Sequence, residues 1–263
     1  MRACILAAGI GQRLRPLTDD KPKALVEVDG KSFLDRLITQ LVSVGVDELI
    51  VATGWCEDAV VRALKKAPIP VVLRRNDAFD RTQNSVSLHV CADALLRDGA
   101  RDTFKLDGDV ILDVEILRRM IAAKNQGKCD LIAAVDPKPG LGAEEMKVTL
   151  DATDVRTNVA APRITAFGKH LDPRASAGES IGVELLSPRA VSSIVDALGA
   201  IVTSGVTNLY YEDVYHRLLA SQGSGPGRID ARAVFVGDLP WTEVDTADDL
   251  ARAGEIARRT RLT

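Results

Sequence analysis

The sequence predicts an α/β fold in which a mostly parallel, mixed sheet is doubly wound by helices. Three observations point there. Apolar segments of strand length alternate with amphipathic segments of helical period along most of the 263 residues. The strand-like segments are apolar at consecutive positions, as suits strands covered on both faces. The first of them, "ACILAAG", runs straight into a glycine turn.

Each element follows in order. After that first strand, "SFLDRLITQLVSVGV" reads as a helix: Phe33, Leu34, Leu37, Ile38, Leu41 and Val42 share one face, with Ser32 as N-cap and Gly45 as stop. "DELIVAT" is a strand, "EDAVVRALKKA" a helix and "IPVVLRRN" a strand. "SVSLHVCADALLRDG" reads as one helix, "DTFKLDGDVIL" carries a strand, "VEILRRMIAAKNQG" is a helix and "CDLIAAVD" a further buried strand. After residue 137 the rhythm changes to short β-like pieces between turn formers, so 138–180 is expected to be a β-rich subregion of a single domain spanning 1–263. "SIGVELLS" and "RAVFVGD" are strands, and "PRAVSSIVDALGAIV", "EDVYHRLLA" and the closing "TADDLARAGEIARRTR" are helices. "SQGSGPG" is a loop within the fold.

Composition excludes several classes. Apolar residues make up 46% and charged residues 27%, an ordinary globular balance. The formal net charge is -3 with no long tract of either sign, which argues against nucleic acid or a membrane surface as partner. An anionic ligand must therefore meet a local basic cluster. Cys4, Cys56, Cys91 and Cys129 form no C-x-x-C pair and His89, His170 and His216 are dispersed, so buried free thiols are expected rather than disulfides or zinc. No apolar run reaches the roughly 20 residues of a membrane span. The opening apolar stretch breaks at once into Gly and Arg, so no signal peptide and a cytoplasmic location are expected.

The local basic cluster is "LAAGIGQRLRPLTDDKPKAL", residues 6 to 25. It lacks the G-x-x-x-x-G-K-[ST] of a phosphate-binding Walker loop. A dinucleotide fingerprint fails too, because Leu14 stands at its third glycine position. The remaining reading is a loop whose backbone wraps a nucleoside triphosphate, with Leu6, Ala7, Ala8, Gly9 and Gly11 at the nucleotide. Arg13 would fork onto phosphate oxygens, and Lys23 would add a point charge.

The pattern L-A-A-G-x-G-x-R-L-x-P-x-T-x-x-x-P-K-x-L resembles the nucleotidyltransferases that join an NTP to a phosphorylated sugar or alcohol. That resemblance implies a Rossmann-like nucleotidyltransferase fold, with Arg13 and Lys23 on the triphosphate. Gln12 departs from it, since Thr or Ser is usual before the arginine. The transfer brings two anions together and implies Mg²⁺ held by carboxylates. "LDGDV" and "WTEVDT" resemble the family's metal segments, which places Asp109 and Asp245 as metal ligands and Asp107 as an auxiliary group at the nucleotide. Helix capping by Asp245-Thr246 and a plain turn at Asp107-Gly108 are the alternative readings. Lys169 in "ITAFGKHL" is implied as a catalytic cation. Lys147 is either a second such cation or a solvated strand lysine.

The segment "RNDAFDRTQNSVSLHV" resembles the branch that pairs CTP with a phosphorylated alcohol or phosphonate, phosphocholine among them. There Gln83, Asn84 and Ser85 would meet the base, unless Asn84 or Ser85 merely caps the helix. The resemblance of "NLYYEDVYHRLL", together with the strand glutamate of "GVELLS", suggests Glu184, Glu212 and Asp213 at the acceptor, beside Tyr210 and Tyr211. The expected activity is transfer of CMP from CTP to a phosphorylated small molecule, with a homo-oligomer left open. Three other readings stand beside it: a sugar-1-phosphate enzyme using UTP or dTTP, a catalytically silent relative, and a nicotinamide dehydrogenase, which Leu14 disfavours.

Overall fold

The structure, a computed structural model, describes residues 1–127, 129–156, 160–220, 227–260 and 262–263. Positions 221–226, most of the expected "SQGSGPG" loop, lie outside the described residues. The chain opens with β1 (Arg2–Leu6) and passes through two short 3₁₀ turns, Gln12–Leu14 and Lys23–Leu25. A small hairpin of β2 (Glu27–Val28) and β3 (Lys31–Ser32) leads into α1 (Phe33–Ser43). There follow β4 (Glu48–Thr53), α2 (Glu57–Leu64), β5 (Val71–Arg75), α3 (Asn84–His89) and α4 (Ala92–Leu96). Next come β6 (Thr103–Asp107), β7 (Val110–Leu112), α5 (Val114–Gln126), β8 (Leu131–Asp136), β9 (Lys147–Leu150) and α6 (Ala152–Arg156). The rest is β10 (Ile164–Gly168), β11 (Gly178–Leu186), α7 (Pro188–Thr203), α8 (Tyr211–Ala220), β12 (Ala231–Phe235), β13 (Trp241–Glu243) and α9 (Ala247–Arg259).

The main sheet is nine-stranded, in the order β10-β9-β11-β6-β1-β4-β5, with β8 beside β11 and β12 beside β8. Strands β4 and β6 flank β1 in parallel, β5 is parallel to β4 and β12 to β8, whereas β11 runs antiparallel to β6 and β8. The expected α/β class with a mostly parallel mixed sheet is therefore observed.

Burial explains the consecutive apolar residues. Ala3 and Ile5 of β1 join a core with Leu34, Leu37 and Leu41 of α1 and Leu117 of α5. Cys4 points the other way, into a second core with Leu95, Val191, Ile194 and Val214. Both faces of the strand are dry, and each buried Leu or Ile contributes about 1.5–3 kcal/mol. Ser32 caps α1 as expected, its hydroxyl accepting from the Asp35 N–H at 3.0 Å.

The helical stretch read across 85–99 is two short helices, α3 and α4, with a turn at Val90 and Cys91 between them, and both Leu88 and Leu95 lie in the second core. Within 138–180 the chain forms the antiparallel pair β9 and β10, with α6 between them.

The sheet also fixes where a site forms. From β1 the chain builds β4 and β5 on one side, then returns to lay β6 on the other. A crevice opens at such a reversal, at the carboxyl ends of the strands. Leu6 and Asp107 are register partners at that end.

Candidate active site

The glycine loop folds inward over this crevice. Ala7 continues the parallel ladder by donating its N–H to the Ala52 carbonyl at 2.9 Å, so its side chain belongs to the core rather than to the cleft. Gly9 is exposed, and no atom lies within 4 Å of where a Cβ would stand. Gly11 sits at φ +68, where only glycine is unstrained, and a Cβ there would meet the Lys23 Cβ at 3.1 Å. Leu14, the residue that breaks the dinucleotide fingerprint, is instead an anchor, buried with Phe33, Ile111 and Val244.

Residues far apart in sequence converge beneath this loop. The strand β13 pairs antiparallel with β7, setting Glu243 opposite Val110, and the Val244 N–H donates to the Asp109 carbonyl at 3.1 Å. Strand alternation then buries Val244 and leaves Glu243 and Asp245 on the same side. Carboxylate oxygens of Asp109, Glu243 and Asp245 all lie within 4.8 Å of one another.

The Lys23 ammonium sits between two of them, 2.7 Å from Asp109 and 2.5 Å from Asp245. Burial alone would depress this ammonium, but the Asp109 and Asp245 charges outweigh it and raise its pKa above the ordinary value. Arg13, largely exposed, reaches the other Asp245 oxygen at 2.8 Å. The Glu243 side chain reaches solvent at the rim, yet crowding by protein, followed by the negative charges of Asp109 and Asp245, pushes its carboxyl up to about 8.

The capping alternative for this segment is resolved. Thr246 is the N-cap of α9, in a capping box with Asp249, so the Asp245 carboxylate is left to the cluster. Gly108 is more than a plain turn, since a Cβ there would stand 2.7 Å from the Leu6 carbonyl oxygen. The donor set fits a hard divalent cation: three carboxylates within reach, with Asp109 Oδ1 buried and without a hydrogen-bond partner. Glu243 is the group that sequence reasoning missed.

On the opposite wall, Leu6, Ala8, Gly9, Phe79, Thr82, Gln83, Asn84, Ser87, Asp107, Asp109 and Glu243 line one cleft of about 320 Å³. Gln83 is the N-cap of α3, without a side-chain capping bond, so neither Asn84 nor Ser85 caps the helix. Asn84 Oδ1 accepts from the Tyr211 N–H at 3.0 Å, which turns its amide NH₂ away as a donor. Ser85 corrects the expectation. It is fully buried, with its hydroxyl unpartnered, because the first turn of α3 directs it toward the core; Thr82 and Ser87 line the cleft instead.

A second cleft of about 420 Å³ shares Glu243 with the first and is lined by Arg13, Lys138, Lys169, Glu179, Trp241 and Asp245 among others. Lys169 lies 4.6 Å from the Tyr210 ring centroid and 3.4 Å from Glu144. Lys147 is neither solvated nor in the cleft. It is buried, donating to the Lys169 carbonyl at 2.7 Å and the Glu145 carbonyl at 3.1 Å, so it holds the backbone that carries Lys169.

The acceptor expectations at Glu184 and Glu212 are also corrected: both are buried, in a cluster that reaches the cleft only through Asp107. Lys105, fully buried, lies 3.0 Å from Asp107 and 3.2 Å from Glu184, with its ammonium 3.1 Å from the Tyr211 ring centroid. The Tyr211 hydroxyl donates to Asp107 Oδ2 at 2.8 Å. Burial, with Asp107 adding its negative charge, holds Glu184 at about 7 and Glu212 at about 8. Asp213 accepts from the Tyr210 N–H at 2.9 Å and so caps the start of α8.

With that geometry in place, comparison with known proteins gives the family. Residues 3–142 match the model of the MobA-like NTP transferase domain. The chain belongs to that family. A bifunctional IPC transferase and DIPP synthase from Rubrobacter xylanophilus is 29% identical over 97% of this chain and 51% of its own length. A CTP:phosphoglutamine cytidylyltransferase from Campylobacter jejuni is 33% identical over 57% of this chain and 62% of its own. Over a shorter stretch, 24% of this chain and 26% of the relative, identity reaches 50% with the UTP–glucose-1-phosphate uridylyltransferase of Haloferax volcanii. The chain covers less than two thirds of the length of each of these relatives. The fold matches that of the inositol-1-phosphate CTP transferase from T. maritima, with a TM-score of 0.77 at 19% identity over 98% of this chain and 95% of that one. Among the described residues, no helix is long and apolar enough to cross a membrane.

Proposed function

We propose that this chain is a Mg²⁺-dependent cytidylyltransferase that moves CMP from CTP to a phosphorylated small alcohol or a phosphonate. An oxygen of the acceptor phosphate or phosphonate attacks the α-phosphorus of CTP. The new P–O bond forms as the bond to the β-phosphate oxygen breaks, and pyrophosphate leaves. The observation that carries this reading is the convergence of the glycine loop, Lys23 and Arg13 on Asp109, Glu243 and Asp245 at the end of β1 and β6.

The chain's residues divide the work. The exposed backbone at Gly9 leaves room for phosphate. Arg13 is built to fork onto phosphate oxygens, and Lys23 to neutralise charge as pyrophosphate departs. Asp109 and Asp245, with Glu243 beside them, would hold the metal, which when bound supplies Lewis-acid neutralisation at the phosphates. Gln83 and Asn84 would face the base; the Asn84 amide NH₂ is left to donate, to an acceptor such as a pyrimidine carbonyl. The cleft with Arg13, Lys169 and Trp241 takes the acceptor, and the β-rich segment 138–180 belongs to that side of a single catalytic unit. Positioning and charge neutralisation suffice, with no covalent intermediate.

The Campylobacter relative and the "RTQNSVS" and "WTEVDT" segments support CTP. The short stretch shared with a uridylyltransferase favours the second reading, UTP with a sugar phosphate. Pyrophosphate release measured with each NTP against phosphorylated alcohols, phosphonates and hexose 1-phosphates separates them. Turnover with CTP and a phospho-alcohol or phosphonate is expected; turnover only with UTP and a hexose phosphate overturns the proposal.

A further inference from the structure

The stretch "TGW" at the end of β4 lies outside the roles assigned above, yet it touches both walls of the nucleotide cleft. The Trp55 N–H donates to the Ala8 carbonyl at 3.1 Å, at the start of the glycine loop. Its indole Nε1–H donates to the Thr18 carbonyl at 3.0 Å, on the loop's return. Thr18 is fully buried and passes the constraint on, its hydroxyl donating to the Gly11 carbonyl at 2.8 Å. One side chain thus closes the loop that carries Arg13.

The same ring meets the other wall. Trp55 and Phe79 lie with ring centroids 6.3 Å apart at 54°, and Phe79 lines the nucleotide cleft beside Thr82 and Gln83. The turn that presents Phe79 is itself fixed: buried Asn76 donates to Thr82 Oγ1 and Ser87 Oγ, each at 3.1 Å, and accepts from the Ala78 N–H at 3.0 Å. The residue before Trp55 must be glycine for the walls to close. A Cβ on Gly54 would stand 2.7 Å from both the Ala8 carbonyl oxygen and the Phe79 Cβ. Real Cβ contacts do not come that close, so any side chain there pushes the loop and Phe79 apart.

We propose that Trp55, seated by Gly54, is a positioning residue for the nucleotide, holding the triphosphate loop and the Phe79 wall at the spacing that binding requires. The inference rests on the nucleotidyltransferase reading above. A loop ordered before the ligand arrives spares the ordering entropy at binding, so the residue acts through affinity for the NTP. Trp55 does not itself line the acceptor cleft and reaches it only through Arg13, so the larger effect falls on the NTP.

The test is calorimetric titration with CTP and Mg²⁺, paired with steady-state KM values for CTP and for the acceptor. Trp55→Phe keeps a ring against Phe79 and deletes the indole hydrogen bond; CTP binding should weaken about threefold to tenfold, the loss of one such bond. Acceptor KM should change less than CTP affinity. Trp55→Leu, which also loses the aromatic contact, should weaken CTP further. Gly54→Ala reaches the same outcome by spreading the walls, independently of the indole. A purely structural role would lower the melting temperature while leaving CTP binding and the ratio of the two KM values unmoved, and that result in both Trp55→Phe and Gly54→Ala overturns the inference alone. A wild-type protein that binds no nucleoside triphosphate overturns it together with the reading on which it rests.

Discussion

Two acidic clusters lie at the carboxyl end of β6, and they share ingredients but not character. The outer one sets Asp109, Glu243 and Asp245 around Lys23, with Arg13 at the rim and a cleft above. The inner one sets Asp107, Glu184 and Glu212 around Lys105, capped by the Tyr211 hydroxyl, and only Asp107 of these reaches solvent. In the proposed reaction the outer carboxylates would exchange an ammonium for a metal, since the cluster opens on both clefts. In the inner cluster burial pushes carboxyl protons on, and charge persists only where Lys105 balances it. Access to solvent, rather than residue type, separates a reactive cluster from a scaffold. Asp107 is the hinge between them, since it lines the cleft yet is oriented from below by Lys105 and Tyr211.

Substitutions sharpen that contrast. The largest effect is expected in the outer cluster: Asp109→Ala should lower turnover by at least about a hundredfold, the scale of removing a key electrostatic group. Its melting temperature should change little, because the buried Lys23 ammonium keeps Asp245 as a partner; pyrophosphate release and a thermal melt check both. The inner cluster should respond the other way. Lys105→Met leaves Asp107 and Glu184 without their cation and should cost about 3–5 kcal/mol of stability, read by denaturant unfolding. If Lys105→Met left stability intact, the scaffold role of the inner cluster would be wrong.

Smaller effects refine the picture. Arg13→Lys keeps the charge but loses the fork, so KM for CTP should rise several-fold with little change in stability, as steady-state kinetics would show. Glu212 gives a pH test. Its carboxyl is held at about 8, above an ordinary 4.5, first by burial and then, against Lys105, by Asp107 and Glu184. Between those values the folded state keeps a proton that the unfolded chain releases. Glu212's contribution is therefore fully present below pH 4.5 and is lost as pH rises through about 8. Glu212→Gln cannot ionise and should flatten that decline, melting about 2–4 °C above wild type at pH 8 for each kcal/mol regained. A parallel pH profile in the variant would remove Glu212 as its source.

The outer cluster was the more legible of the two. Gly9, Gly11, Arg13 and Lys23 fall in one continuous stretch, and Asp109 and Asp245 stand at strand ends, where side chains meet ligands. Glu243 was written in the same "WTEVDT" segment. Its signal was alternation, an apolar Val244 between two acids, so that both acids share a side. The inner cluster was harder to see because its burial comes from tertiary packing. Tyr211 and Glu212 open α8, and nothing in a helix start shows that they are buried beside Lys105. Even so, Glu184 and Lys105 each interrupt a buried apolar strand, and they are direct register partners across β11 and β6. A charge within a dry strand needs an opposite charge on its neighbour. Ser85 carried no such mark: the rotation of a short helix decides whether it faces cleft or core.

The central claim concerns where the triphosphate and its metal sit. A crystal structure of the protein soaked with CTP and Mg²⁺ tests it most directly. The account predicts the metal on Asp109 and Asp245, the phosphates along the loop from Gly9 to Lys23, and the base against Gln83 and Asn84. Phosphates bound away from that loop, or a metal that ignores both aspartates, would contradict it.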